Sequence, residues 1–460
     1  MEKKITALIA IVLTITLLSG CGAKETTNTS SIQDVSSIIS EISSSPEHPY
    51  LTTEKKPYGI PEFTYGEAST YAQGDRYITV ANGTKKENYN SYLKKLKNKG
   101  YKVYAENKIE DNCYTTLTNK KTVVTVYCVP RTGITRVIAE PKGDMYPREK
   151  DNNYTSKNIH CLLTGILGDK TYIDYGMGYV IRLSDGSFII IDGGVGGENH
   201  VDSNNLLKIL KDQSPKDAEK PVIAAWIFTH PHRDHVGTFC TFAADHNDKV
   251  VIEGFYYNFP NGQSGNGVDS AIEIYFSDVP TIIPHTGDKY YIKDAIIDVL
   301  FTYEDHLPRT IGRDEFAIGD ANDASIMFKI NLAGQTLLFT GDAMKNSLKN
   351  LLTSFDTSLK SDFIQLPHHG KTYSYDLNLK VNPTYALLAV SHKNYTNFFA
   401  GGGGGHKGNM WLIDTPSVRQ IIPLGNGTFT IPIPYNPTDA EIMDKVPTPE
   451  TVYKDYSYLY

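Results

Sequence analysis

His230-Pro231-His232-Arg233-Asp234-His235-Val236-Gly237 sets three imidazoles and a carboxylate within six positions. Histidine is scarce elsewhere, with 13 in 460 residues, so this density asks for a chemical reason. Neutral imidazoles and carboxylates are good donors for zinc, a borderline cation that accepts both N and O ligands. On an extended strand end, residues two apart point to one side, which lets His230 and His232 chelate one ion. A turn after them lets Asp234 and His235 address a second ion beside the first.

Working outward, the flanking segments repeat one design. Tyr179–Leu183 and Ser187–Ile191 flank Ser184-Asp185-Gly186, a hairpin signal. The second run is almost continuously apolar, as in a strand buried on both faces, and ends in Asp192-Gly193-Gly194. A helix is expected around Asn204–Asp212, with Leu206, Leu207 and Leu210 on its apolar side. Val222–Phe228 then runs straight into Thr229-His230. Ser325–Leu332 and Thr336–Phe339 read as a hairpin around Ala333-Gly334-Gln335, ending at Thr340-Gly341-Asp342. A helix bearing Leu348, Leu351, Leu352 and Phe355 follows, and Phe363–Leu366 leads into Pro367-His368-His369-Gly370. Apolar strands that each end in Asp or His are how layered α/β folds bring functional groups to one sheet edge.

This ordered set, spread over about Ile173 to Leu388, resembles the metallo-β-lactamase superfamily, whose hallmark is the HxHxDH motif. The resemblance implies an α/β fold, a four-layered αβ/βα sandwich with two zinc ions (or manganese or iron) at one edge. It assigns His230, His232 and Asp342 to one ion. Asp234, His235, Asp342 and one of the paired histidines go to the other, with His369 favoured as ligand and His368 as neighbour or proton donor. Asp192 matches the family carboxylate that orients a ligand or the attacking hydroxide; an Asp capping the turn before Gly193 would look the same. Asn322-x-x-Ser325 and His368-His369-Gly370 look most like two subgroups, the hydrolase domain of DNA-uptake competence proteins and the cell-surface phosphorylcholine esterases. Both act on phosphodiesters.

The implied activity is phosphodiester hydrolysis by a metal-bridged hydroxide, with Asp234, Asp192 and His368 as the catalytic candidates. The alternatives are hydrolysis of a lactone, ester or lactam on the same metal pair, or a non-enzymatic zinc-containing surface lipoprotein that only binds. One departure from the family pattern stands out. Many relatives carry a metal-binding His where this chain has Asn322, so His285 or His306 becomes the candidate replacement from the intervening loop. Asn322, Ser325, His306 and His406, the last directly after five consecutive glycines, are candidate substrate contacts.

The remaining sequence sets the context. Lys3 and Lys4, an apolar run from Ile5 to Leu18 and Leu18-Ser19-Gly20-Cys21 resemble a lipoprotein signal, with Cys21 as the acylated residue. The expected organisation is a signal peptide at 1–20, a Ser/Thr-rich tether at 21–49 and a small α+β domain at 50–150. A hydrolase domain at 151–435 and a polar tail at 436–460 complete it. The expected location is the extracytoplasmic face of the cell membrane, with a small molecule or cell-wall polymer as substrate. Net charge is −7 with no basic block, which argues against tight nucleic-acid binding. In the small domain, Thr84-Lys85-Lys86-Glu87 reads as a capping box opening a helix. Cys113 and Cys128 lie on successive predicted strands and are either a disulfide or two buried thiols.

Overall fold

A computed structural model describes residues 51–52, 57–145, 148–166, 176–196, 200–260, 267–307, 321–390, 415–424, 428–439 and 441–442. β-Branched and aromatic residues dominate 67–141, as suits a pleated, half-buried surface. There the chain forms β1 (Leu51–Thr52), β2 (Glu67–Gln73), β3 (Arg76–Asn82), β4 (Lys102–Ile109), β5 (Asn112–Thr118), β6 (Thr122–Val129) and β7 (Ile134–Pro141). They make one antiparallel sheet in the order β1-β2-β3-β7-β6-β5-β4. Helix α1 (Lys86–Asn98) lies on one face, packing Tyr89, Tyr92, Leu93 and Leu96 against Val124, Val126 and Ala139. The helix starts later than the capping-box reading expects. Lys85 is the N-cap and Asn88 accepts its backbone N–H, while Thr84 is buried and bonds to Thr135 and to the Gly133 carbonyl. Cys113 and Cys128 are opposed across β5 and β6, both as free, buried thiols.

The strands predicted around the motif form a second sheet. It holds β8 (Cys161–Ile166), β9 (Gly178–Arg182), β10 (Phe188–Asp192), β11 (Val222–Ile227), β12 (Val251–Ile252), β13 (Phe255–Tyr256) and β14 (Thr281–Ile282). The predicted hairpin joins β9 to β10, with Gly186 at φ +87° and Asp185 accepting from Ser187. β10 and β11 then run parallel, so their C-terminal ends fall on the same edge. A third sheet runs in the order β15 (Lys289–Ile292), β16 (Ala295–Phe301), β17 (Met327–Leu332), β18 (Gln335–Phe339), β19 (Phe363–Gln365), β20 (Tyr385–Leu388) and β21 (Gln420–Pro423). β22 (Thr428–Ile433) returns to pair antiparallel with β8 in the second sheet.

The second and third sheets face each other across a core that includes Ile189, Ile191, Ile227, Phe328, Ile330, Phe339 and Phe363. On the far side of the second sheet, Phe188, Ile190, Trp226 and Phe228 meet α2 (Val201–Gln213), α3 (Arg233–His246) and α4 (Val268–Tyr275). β10 therefore alternates between two cores, which accounts for its unbroken apolar run. On the far side of the third sheet, Met327, Leu338, Ile364 and Leu388 meet α5 (Lys345–Ser354) and α6 (Tyr375–Val381). This is the αβ/βα sandwich. Its outer layer beside α5 and α6 is completed by Ile78, Val80, Tyr127 and Ile138 of the N-terminal sheet, in the same cluster. Tyr50–Tyr460 accordingly forms one unit. Part of the polar tail docks on it as well: Arg419 reaches the Pro437 carbonyl and Asp439, and Ile442 packs on the central core.

Candidate metal centre

Three strand ends and one helix start meet at the edge. β10 ends in Asp192, β11 leads to Thr229-His230, β18 leads to Gly341-Asp342, and β19 leads to the turn 367–370. α3 begins at Arg233, so His232 is its extended N-cap and Asp234 and His235 lie in its first turn. Backbone strain collects here. Asp192 (φ +56°), His368 (φ +51°) and His369 (φ +53°) all occupy the left-handed region, which costs a non-glycine residue about 1–2 kcal/mol. Gly341 (φ +56°) follows the rule instead, and a Cβ there would lie 3.0 Å or less from Ser325 and Thr229 side-chain atoms.

Asp234, His235, Asp342 and His369 converge, each offering one ligand atom, with those atoms within 4.8 Å of one another. His235 is fixed from behind: its Nδ1 lies 2.9 Å from Asp192 Oδ2, which leaves Nε2 facing Asp342 Oδ1 at 3.2 Å. His369 is fixed likewise, with Nδ1 donating to the Ala389 carbonyl at 2.7 Å. Its Nε2 then sits 3.3 Å from both Asp234 Oδ2 and Asp342 Oδ2. The two oxygens of Asp342 thus face different histidines. The His230 ring lies beside that of His235, tilted, at 4.1 Å between centroids, and meets that of His232 edge-on at 4.8 Å. Its Nδ1 is 3.1 Å from Thr229 Oγ1.

Burial opposes charge throughout the cluster, and neighbours decide the outcome. The imidazoles of His369 and His235 hold Asp342 well below the usual carboxylate range despite that burial. Against the same burial, Asp342 and Asp234 push His369 up to about 9. Burial, reinforced by His235, drives His230 well below its ordinary value and keeps it neutral, the form that ligates metals. His230 Nε2 is a buried polar atom without a hydrogen-bond partner in the protein, and the 3.2 Å approach of His235 Nε2 to Asp342 Oδ1 is not aligned as a hydrogen bond. Orphaned donors and acceptors of this kind cost about 1–3 kcal/mol each unless something binds them. Imidazole nitrogens and carboxylate oxygens around one point are the donor set of a zinc ion, so the residues fit the metal.

The other expected residues sort clearly. Asp192 is fully buried and commits its oxygens to Thr229 and His235, so it positions His235 from behind. Ser325, expected among the substrate contacts, is also fully buried; its Oγ accepts the Asp342 backbone N–H and so holds that residue in place. Neither replacement histidine comes to the edge. His285 is buried between Glu304 and Glu140, and His306 Nε2 lies 2.7 Å from the Asp323 carbonyl, because both serve the packing of the 303–306 turn. Asn322 is buried in the short turn Ala321–Ala324, and two residues beyond it Ile326 N–H bonds to the Thr229 carbonyl, so this turn leads to the His230 strand end. His368 is partly exposed, its Nε2 3.8 Å from Asp342 Oδ2. Cys21 and His406 lie outside the described residues.

Sequence reasoning missed Thr229 and Gln365. Thr229 ties Asp192 to His230, and Gln365, fully buried, bonds to Thr340, Gly341 and Leu366, joining the two turns that carry Asp342 and His369. A glutamine inside an otherwise apolar strand was the available signal for the second.

Two facing mixed sheets flanked by helices, with a His/Asp cluster at the strand ends, define an α/β sandwich whose edge could hold a metal ion. The family model described as Metallo-beta-lactamase superfamily matches residues 173–392, so this region is a domain of that superfamily. Solved structures similar to it include the metallo-beta-lactamase fold protein YhfI from Bacillus subtilis, at 10% identity and TM-score 0.35, covering 59% of this chain and 99% of that one. A diphosphatase from the PhnP family is 12% identical with TM-score 0.33, covering 59% of this chain and 97% of its own. The short form of human tRNase Z is 12% identical with TM-score 0.29, covering 57% and 91%. At such distances they say nothing about what this chain acts on. No curated protein matches the sequence.

Proposed function

We propose that the protein is a zinc-dependent phosphodiester hydrolase held at the outer face of a bacterial membrane. The observation that carries the reaction is the convergence of Asp234, His235, Asp342 and His369 around one point, with His230 beside them. Those four would hold one zinc ion, and His230, His232 and Asp342 a second. Bound zinc supplies an activated water near neutral pH and neutralises charge developing on a phosphoryl group. The protein's own part is positional. Asp192 and the Ala389 carbonyl fix which nitrogen of His235 and His369 faces the cleft. Asp342, anchored through its N–H to Ser325, presents one oxygen to each side. His368, on the partly exposed rim, is placed to hand a proton to the departing alkoxide. Asn322 is a poor zinc ligand, so the first site carries fewer protein donors and should bind its ion less tightly.

The test is zinc-dependent turnover of bis-p-nitrophenyl phosphate. Asp342→Ala removes a ligand common to both sites, so activity should drop on the order of a thousandfold or more, several kcal/mol of barrier. Far-UV circular dichroism should stay as in wild type. Turnover of lactones or lactams alone would move the assignment to acyl chemistry. The anchor rests on Leu18-Ser19-Gly20-Cys21, and among the described residues no helix is long and apolar enough to cross a membrane. Cys21→Ser should leave the protein unprocessed or soluble; a wild type found wholly in the soluble fraction refutes the anchor.

A further inference from the structure

We propose that the groove between α5 and α6 binds the chain of an extended polyol-phosphate polymer beside the metal edge; this rests on the phosphodiester reading above. The groove has a volume of about 500 Å³, with Lys345, Leu348, Lys349 and Leu352 on one wall and Tyr373 and Leu379 on the other. Its position follows from the chain. Lys345 comes three residues after Asp342, and Tyr373 three residues after Gly370. At no more than about 3.6 Å per residue, the Cα of each lies within ~11 Å of that residue, so one end of the groove is on the side of the edge that carries Asp342 and the 367–370 turn. From Lys345 to Leu352 the helix rises ~10 Å, which carries the groove away from that edge.

The lining has the chemistry of an anion track. Lys345 and Lys349 are one helical turn apart on a common side, both exposed, and neither has an ion-pair partner among the described residues. Lys380 does a different job: it donates to the Leu352 and Phe355 carbonyls and pairs with Asp356, closing the C-terminal end of α5. Asp376 is the acidic member of the lining. Between the lysines the floor is leucine. Two spaced cations over an apolar floor suit a chain in which phosphodiesters alternate with short carbon segments. Single-stranded nucleic acid instead asks for successive aromatic platforms and a longer basic track, and this chain carries a net charge of −7.

Fluorescence anisotropy with a labelled oligo(glycerol phosphate) tests the proposal on the full-length, zinc-loaded protein. Wild type should bind the probe. Lys345→Ala/Lys349→Ala should bind it about tenfold more weakly, with a salt dependence shallower by about one logarithmic unit per lysine removed. Metal content and circular dichroism of the variant should match wild type. Equal affinity in wild type and variant overturns the proposal, as does tighter binding of a single-stranded oligonucleotide of equal charge. Binding is read from the initial anisotropy, before any cleavage of the probe lowers it, and parallel hydrolysis of bis-p-nitrophenyl phosphate separates the two readings. Chromogen hydrolysed with no polymer bound removes the groove and leaves the reaction. Lysine-dependent polymer binding with no chromogen hydrolysed removes the reaction and leaves the groove.

Discussion

The Asp192 carboxylate accepts from Thr229 N–H and Oγ and from His235 Nδ1, and nothing else about it points at the cleft. Burial raises its pKa even with His235 and Thr229 acting the other way, so ionising it depends on those partners. Asp192→Asn keeps the size but puts an amide against groups that all donate. His235 then loses its fixed tautomer, and zinc affinity should fall about 10–100-fold with the fold intact. Competition against a chromophoric chelator measures this, and an unchanged affinity would leave Asp192 as a turn residue only. At this scale the convergence of Asp234, His235 and Asp342 was legible, because HxHxDH and Gly341-Asp342 are local patterns. Ser325, Thr229 and Gln365 were not read as scaffold, because their bonds join strands that are neighbours only after folding.

Elements are held to one another by buried charge as much as by apolar packing. Arg76 on β3 and Glu140 on β7 meet His285 and Glu304 from the other half in one cluster of contacts between 2.9 and 3.0 Å. Burial disfavours charge on His285, yet Glu304 and Glu140 push it up to about 10. Burial also opposes ionisation of Glu304, yet His285 and Arg76 hold it down at about 2. The signs give a window. The raised His285 adds stability in full below its unfolded value of about 6.5 and loses it as pH climbs through 10. The lowered Glu304 adds stability above about 4.5, lost as pH falls toward 2. Glu304→Gln should cost ~3–5 kcal/mol near pH 6, and less at pH 10 where His285 is losing its proton in wild type. Urea unfolding of both proteins at the two pH values checks it; a pH-independent gap would show that the cluster is not the titrating element. From sequence, His285 and His306 looked like free loop histidines available to a metal. Their carboxylate and carbonyl partners lie up to 145 positions away, beyond any local pattern.

For the molecule as a whole, the open question is whether the N-terminal sheet is an attachment or part of the sandwich. The strand runs of residues 101–139 were readable from β-branched and aromatic composition, but not what would cover them. β6 is buried along its whole length. Its Val124 and Val126 face α1, and its Tyr127 and Val129 join the core formed with the third sheet, α5 and α6. Deleting residues up to 150 would remove Ile78, Val80, Tyr127 and Ile138 from the cluster that also holds Leu300 and Phe301, and would break Arg136–Asp305 and Arg148–Asp288. Several large apolar side chains at ~1.5–3 kcal/mol each, plus unpaired buried carboxylates, approach the ~5–15 kcal/mol by which domains are stable at all. A fragment of residues 151–460 should therefore be insoluble, or unfold without cooperativity in a thermal scan followed by circular dichroism. Zinc should not rescue it, because the exposed face lies on the far side of the third sheet from the metal edge's partner sheet. A soluble fragment melting like the full chain would instead make the sheet a separate module, and the reason for its many charged contacts would have to be sought in what it presents to a partner.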